Sequence, residues 1–435
     1  MAYKFKRQIF GFMDLLRFKK MVPKREEKLA TAPATPLPKT YRVNETAKIL
    51  HPGNRTAKLV AVEQVTPDTK TYVFETEKPS MFRAGQYVSV RHEIDGSVVS
   101  RPYAISSSPF AALKDRKIAV TVKKAGFFSD WMFERAAVGD EFSLGDPSGD
   151  FFHDGIRDSR NVVGIAGGSG ITPFYSMAQA IAEGSEDFSL TLLYGARTEK
   201  DIAFKKQLDA LVGDKFKVVY VLSDEKNPKY EHGFVTAALI GKYAPDDYTV
   251  MMCGPQAMYD FAEKELASIG VVGAKRVRKE ANCVGTRDVK PAEYALKVHI
   301  KDQTFDVKAD ARETLLTAME RAGLRVPSKC RAGGCGFCHS RLIGGEYTIA
   351  GADKRRLADK KFGYTPPCSP YPNSDMEIEA PKAGRKNRDP PRLRRLFFFT
   401  KKSGCVKPTV CGDSFSAKIK TGGKLRGREV DAAAK

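Results

Sequence analysis

Cys330-Arg331-Ala332-Gly333-Gly334-Cys335-Gly336-Phe337-Cys338, followed after 29 further residues by Cys368, is the stretch around which the chain is read. The spacing, C-x4-C-x2-C and then a distant fourth cysteine, is the ligand pattern of a plant-type [2Fe–2S] cluster. Two irons need four thiolates, and a tight loop must gather three of them. Glycines let that loop pass close to the sulfides and aim N–H groups at them. Zinc sites more often read as two C-x2–4-C pairs. A disulfide framework suits a small secreted chain, not one of 435 residues with 8 cysteines. The expected metal ligands are therefore Cys330, Cys335, Cys338 and Cys368, and the expected chemistry moves one electron at a time.

Outward from the loop, strands at 294–300 and 304–307, a helix at 313–322 and a last strand near 376–378 make one unit, 289–383. Upstream, in 159–288, short apolar runs at 162–166, 190–194, 218–222 and 249–252 alternate with helical patterns at 200–211 and 256–268. That alternation predicts a doubly wound parallel sheet. Residues 42–158 carry β-branched and aromatic runs at 56–65, 70–77, 86–94 and 117–123, which predict an antiparallel barrel. The segment 162–182 has no formal charge over 21 residues, but its four glycines and one proline suit a strand–turn–helix motif better than a membrane span.

Three groups of residues carry chemistry besides the cysteines. In Arg101-Pro102-Tyr103-Ala104-Ile105-Ser106-Ser107-Ser108 the arginine can pair with a phosphate, the tyrosine can stack on a flat ring, and the hydroxyls can hydrogen-bond. Gly126-Phe127-Phe128-Ser129 opens a helical stretch whose first amides can face a phosphate. Gly167-Gly168-Ser169-Gly170-Ile171-Thr172-Pro173 follows a strand directly. Its glycines suit a tight turn against a pyrophosphate, with Thr172 expected to cap the next helix. Cys253-Gly254-Pro255 ends a later strand, and both sets should meet at the C-terminal edge of the sheet. Each group taken singly is also what an ordinary turn or cap looks like.

Together these motifs resemble the ferredoxin–NAD(P)+ reductase superfamily, in its three-module, phthalate dioxygenase reductase-like form with a C-terminal plant-type ferredoxin domain. The resemblance spans about residues 56–381. It implies a flavin-binding antiparallel β-barrel, an NAD-binding α/β domain and an α+β β-grasp ferredoxin domain. It assigns Arg101, Tyr103 and Ser107 to the flavin, with Gly126 and Ser129 at its phosphates. Gly167, Gly168, Gly170 and Thr172 fall to the dinucleotide pyrophosphate. Cys253, Gly254 and Pro255, with Glu280 at the end of the last strand, fall to the nicotinamide side. Ala104 departs from the family's usual Ser or Thr, so a methyl stands where a hydroxyl would reach flavin N5. Asp224, after Ser223, would repel a 2′-phosphate and accept a ribose diol, which favours NADH. FAD is the expected flavin, with FMN the alternative. A nicotinamide delivers two electrons as hydride and the cluster takes one, so a flavin must stand between them. The implied path is NADH to flavin to [2Fe–2S] to an acceptor protein: an oxygenase, a demethylase or an anaerobic reductase. Two other readings are an electron-input subunit of a larger anaerobic complex, and a non-catalytic scaffold with degenerate sites.

The net charge of +21 is concentrated at the ends: residues 385–435 hold 15 Lys/Arg against 4 Asp/Glu. No nucleic-acid-binding motif accompanies that charge, so no nucleic acid is expected as a partner. The tail 384–435 has no periodic core pattern and is expected to be disordered. Cys405 and Cys411 within it are expected to be free thiols. Residues 1–41 form a basic arm. An amphipathic helix is expected over 4–22, from Phe5, Ile9, Phe12, Leu16 and Phe18, and a proline-rich linker follows at 31–38. The arm could hold a partner, pack on its own protein or lie on an anionic membrane, the last being least favoured. Without a signal-peptide pattern, and with cysteines needed as thiolates, the expected setting is cytoplasmic.

Overall fold

The computed structural model describes residues 12–32, 41–280, 287–349 and 353–381, all within the unit that runs to Asn387. Two exposed helices lead, α1 (Phe12–Ala30) and α2 (Arg42–Leu50). The expected arm helix is thus seen in its second half and continues through Pro23 to Ala30. The helix at α2 was not anticipated. The remainder of the arm and the tail from 384 lie outside the described residues. No described helix is long and apolar enough to cross a membrane.

The β-branched and aromatic runs form β1 (Arg55–Thr66), β2 (Thr69–Thr76), β3 (Tyr87–Ile94), β4 (Ser97–Ala104), β5 (Lys117–Lys123) and β6 (Glu141–Leu144). Every pair is antiparallel, in the order β4-β3-β6-β1-β2-β5. A bridge from Ile105 to Val120 joins the chain beyond β4 to β5 and closes the sheet into a barrel. Leu59, Tyr72, Phe74, Val90, Ile118 and Leu144 fill it, because alternate residues of a strand face one side. Two helices, α3 (Pro109–Lys114) and α4 (Phe127–Arg135), flank β5 in the chain.

The second unit holds β7 (Asn161–Gly167), β8 (Ser189–Ala196), β9 (Phe216–Leu222), β10 (Glu231–His232), β11 (Thr249–Cys253) and β12 (Val277–Lys279). All are parallel, in the order β10-β9-β8-β7-β11-β12. Helices α5 (Thr172–Ala182), α6 (Lys205–Leu211), α7 (Ala237–Tyr243) and α8 (Gln256–Ser268) complete it. One core, with Phe174, Met177 and Leu192, and another, with Ile165, Val250 and Tyr259, serve it. The strand order reverses beside β7, where such sheets open a crevice. The helix expected over 200–211 is shorter than its pattern. A 3-10 turn at Glu199–Asp201 ends before Ile202, and Phe204 takes φ +60°. Phe204 is buried and stacks on Tyr175 at 4.2 Å, so core packing overrides local helical preference there. Arg278 on β12 pairs with Asp158 at 2.6 Å, both side chains buried. It also donates to the carbonyls of Phe152 and Asp150, holding the barrel-to-sheet connection in place.

The third unit has β13 (Glu293–Ile300), β14 (Gln303–Asp310), α9 (Leu315–Arg321), β15 (Ser340–Gly344), β16 (Tyr347–Ile349), α10 (Leu357–Lys361), β17 (Tyr364–Thr365), β18 (Pro370–Pro372) and β19 (Met376–Glu379). Its main sheet runs β14-β13-β19-β15-β17, and β13–β19 is its one parallel pairing among the described residues. Leu315 and Met319 of α9 pack with Leu296, Val298 and Ile378, the β-grasp arrangement. Thr314 caps α9 by accepting from the Thr317 amide. β15 to β18 and α10 were not anticipated; they are short and carry prolines and charges that mask periodicity.

Candidate functional site

The glycine loop leaves β7 at Gly167 and makes one 3-10 turn, Gly168–Ile171, before α5. Its glycines have different jobs. A Cβ at Gly170 would lie 2.0 Å from the Cys253 carbonyl oxygen and 2.8 Å from the Gly254 nitrogen. Gly168 has φ +54° and open space where a Cβ would be. Gly170 therefore lets the loop sit against the end of β11, while Gly168 leaves an open face. Thr172 does not cap α5 with its hydroxyl: it donates to the Ser169 carbonyl at 2.7 Å, and the capping residue is Ile171. The turn arrives from a 3-10 helix, so no extended residue precedes α5.

A cavity of about 930 Å³ opens here. Gly168, Ser169 and Thr172 line one wall, Cys253, Gly254 and Pro255 another, and Thr66, Thr69 and Thr121 of the barrel a third. Arg101, Tyr103 and Ser107 do not line it. The motif they belong to meets the cavity through Thr121, whose hydroxyl donates to Ser106 at 2.9 Å.

Cys253 ends β11 and is buried; burial, then the nearby Glu280 charge, pushes its thiol well above the usual range. It is a neutral thiol at any ordinary pH. Tyr259, not singled out from sequence, organises this corner. Its hydroxyl accepts from the Gly254 amide at 3.2 Å and donates to the Glu280 carbonyl at 3.1 Å. Glu280 itself donates from its amide to Met252 at 3.0 Å. Ser223 lines the cavity, and its hydroxyl donates to the exposed Asp224 carboxylate at 2.6 Å. Arg197 shares that wall, and its carbonyl accepts from the Asp224 amide at 3.0 Å.

On the barrel, the ring of Tyr103 stacks towards Phe128 with centroids 6.4 Å apart. Ser107 Oγ accepts from the Ala119 amide at 3.0 Å, and the Ser107 carbonyl accepts from Ser176 on α5 at 2.7 Å. Gly126, at φ +130° with nothing near a would-be Cβ, heads α4. Ser129 turns its hydroxyl back to the Gly126 carbonyl at 2.8 Å and accepts from the Ala125 amide at 2.9 Å, so it shapes this loop. Arg101 Nη1 lies 2.8 Å from Glu320 Oε2, across the boundary to the third unit.

The four cysteines come together in two pairs. Cys338 Sγ is 3.5 Å from Cys368 Sγ, both buried. Cys330 and Cys335 are hydrogen-bonded to each other, and that bond draws the Cys330 thiol down to about 5, against burial and with help from the Ala332, Cys335 and Gly334 amides. The Phe337 amide faces Cys335, and the Gly333 amide faces Cys368. Among the described residues no three His, Cys, Asp or Glu side chains converge as ligands of one ion. Two thiol pairs with amides aimed at sulfur would suit a binuclear iron–sulfur centre better than a single zinc. Ser340 donates to the Cys338 carbonyl at 3.0 Å rather than to a sulfur, and Ser328 is buried. His339, partly exposed, pairs with Asp359 at 2.9 Å and stacks on Tyr364 at 4.5 Å. Cys335 and Phe337 are exposed, leaving one edge of the loop open.

Comparison with known proteins gives three domain matches in chain order: an oxidoreductase FAD-binding domain at 56–153, an oxidoreductase NAD-binding domain at 165–264 and a 2Fe-2S iron-sulfur cluster binding domain at 298–373. The chain is 30% identical over 323 residues to an NADH oxidoreductase HCR of Escherichia coli, covering 73% of this chain and 95% of that one. It is 27% identical over 363 residues to a glycine betaine monooxygenase reductase subunit of Chromohalobacter salexigens, covering 75% and 95%. Among solved structures, phthalate dioxygenase reductase superposes with a TM-score of 0.59 at 22% identity, over 76% of this chain and 98% of that one, and so shares the fold.

Proposed function

Since this chain belongs to the ferredoxin–NAD(P)+ reductase superfamily, in the form that carries a C-terminal [2Fe–2S] domain, we propose that it draws hydride from NADH and hands single electrons to an oxygenase component. Flavin-, nicotinamide- and cluster-binding modules in one chain make it an oxidoreductase. The acceptor class rests on relatives such as the monooxygenase reductase subunit. The need for free thiolates favours a cytoplasmic setting.

The observation that carries this reading is one cleft bordered by the glycine loop, Cys253-Gly254-Pro255 and the barrel wall, with the cysteine loop tied to the barrel's flavin motif through Glu320. A flavin bound at the barrel supplies the exchange between a two-electron donor and a one-electron centre. Arg101, Tyr103, Ser107, Gly126 and Ser129 hold it. Gly167, Gly168, Gly170 and Thr172 shape the turn that receives the dinucleotide pyrophosphate. Cys253, Gly254, Pro255 and Glu280 border the nicotinamide. The neutral Cys253 thiol adds bulk without charge, so it helps to exclude water beside the nicotinamide. Asp224 accepts the ribose hydroxyls and repels a 2′-phosphate.

The purified holoprotein should be red-brown, and NADH should bleach both its flavin and its cluster absorbance. NADH should be preferred over NADPH in kcat/KM by about tenfold, the equivalent of ~1.4 kcal/mol, and Asp224→Ser should narrow the gap. Colourless protein without iron or flavin would sink the reading. A preference for NADPH would overturn the role of Asp224 alone.

A further inference from the structure

Glu320 belongs to none of the motifs described above, yet it touches two of them. It sits on α9 and is 7% exposed. Its Oε1 accepts from the Ser100 amide at 2.8 Å and from Arg331 Nη2 at 2.5 Å. Its Oε2 accepts from Arg101 Nη1 at 2.8 Å. Ser100 and Arg101 lie on β4, at the start of the flavin motif. Arg331 follows the cluster ligand Cys330 directly, is buried, and is held at φ +49°. A side chain other than glycine persists in that region only where its surroundings over-determine it.

We propose that Glu320 is a positioning residue that locks the cysteine loop onto the flavin motif and so sets the gap an electron must cross between flavin and cluster. The proposal rests on the reductase reading. In the step concerned, reduced flavin loses one electron and the cluster gains it, with both electrons supplied by the hydride of NADH. Neither atom transfer nor a proton at Glu320 is involved.

Glu320 stands out against several further contacts between the barrel and the third unit among the described residues. Arg91 reaches the Ser328 carbonyl at 3.4 Å, Lys329 reaches Ser148 at 3.4 Å, Ser97 reaches the Arg321 carbonyl at 3.3 Å, and Arg325 stands 4.0 Å from Glu93. These are long, and the last joins two exposed side chains. The Glu320 contacts are short, charge-assisted and buried or partly buried, the kind that fix geometry. A carboxylate shared by two guanidinium groups also constrains both arginines. A shift of the cysteine loop would have to drag Arg331 off Glu320, or Glu320 off β4.

The test uses the cofactor-loaded full chain as Glu320→Gln, which keeps shape but removes the charge. Transient absorbance separates flavin reduction by NADH from the later reduction of the cluster. Flavin reduction should match that of the parent, while flavin-to-cluster transfer should slow severalfold or more, because the rate of electron transfer falls steeply as the gap widens. Amide exchange should rise at Ser100 and through 329–332 whether or not the cofactors are bound, with the EPR line shape of the cluster unchanged. Arg331→Gln should give the same split and carries the test should Glu320→Gln not fold. Unchanged transfer and unchanged exchange would overturn the proposal, as would equal slowing of both steps, which marks a general structural loss. Failure of the reductase reading looks different: NADH would then reduce no flavin in the parent protein.

Discussion

Cys335→Ser should abolish the [2Fe–2S] cluster and leave hydride transfer from NADH to the flavin intact. Cys335 belongs to the more open of the two thiol pairs, hydrogen-bonded to Cys330 in a loop whose amides face the sulfurs. A serine hydroxyl does not ionise at neutral pH as a thiol can, and it is a poor match for iron that prefers sulfur. Losing a ligand outright should exceed the 10–100-fold in affinity or activity that loss of an outer hydrogen-bonding partner costs a metal site. The nucleotide cleft is lined by none of Cys330, Cys335, Cys338 and Cys368, so its function should survive. Iron content and the cluster EPR signal should vanish. NADH-dependent reduction of ferricyanide, which the flavin can serve, should persist while one-electron delivery to a protein acceptor stops. A variant that keeps its cluster signal would remove Cys335 from the ligand set.

Gly170→Ala should damage the nucleotide half as severely. The new methyl would stand 2.0 Å from the Cys253 carbonyl oxygen and 2.4 Å from its carbon. These are backbone atoms at the end of a strand paired on both sides, with β7 and β12, and they have no room to retreat. Overpacking ordinarily costs about 1–3 kcal/mol, and a clash with fixed backbone should reach the top of that range or pass it. Either the second unit loses stability or the loop moves and the KM for NADH rises. Gly168→Ala is the control. There the methyl meets nothing, and only the left-handed backbone, about 1–2 kcal/mol, opposes it. Thermal unfolding and the KM for NADH, measured on both variants, check the ranking. Wild-type behaviour from Gly170→Ala would show that the loop is not packed on β11 as described.

The contrast between these two glycines shows how far the residues alone carry the reading. Spacing marks the whole loop as a phosphate-type turn, but spacing cannot say which glycine faces the ligand and which faces Cys253. That division depends on β11, more than eighty positions further along, arriving beside β7. Phe204 is a similar case. Its neighbours favour a continuous helix from 200, yet burial against Tyr175 bends the chain there. Tyr259 carried no sequence signal at all, because an aromatic residue at helical spacing reads as core. Only the arrival of Gly254 and Glu280 at its hydroxyl gives it a task. Ser129 and Thr172 were legible as loop residues but not as to where their hydroxyls point, and both bond to backbone of their own turns.

By itself the sequence determined the module order, the parallel and antiparallel sheets, and the four thiols. Each of these depends on local periodicity or on spacing within one short stretch, and local chemistry is written where it acts. The tertiary structure alone decided how the modules are joined. Glu320 reaches Arg101 across 219 positions and Arg331 across 11. A carboxylate can meet two guanidinium groups from separate segments only after the β-grasp sheet has formed and laid α9 against the barrel. No pattern along the chain encodes that contact, because buried charge pairing depends on distance in space.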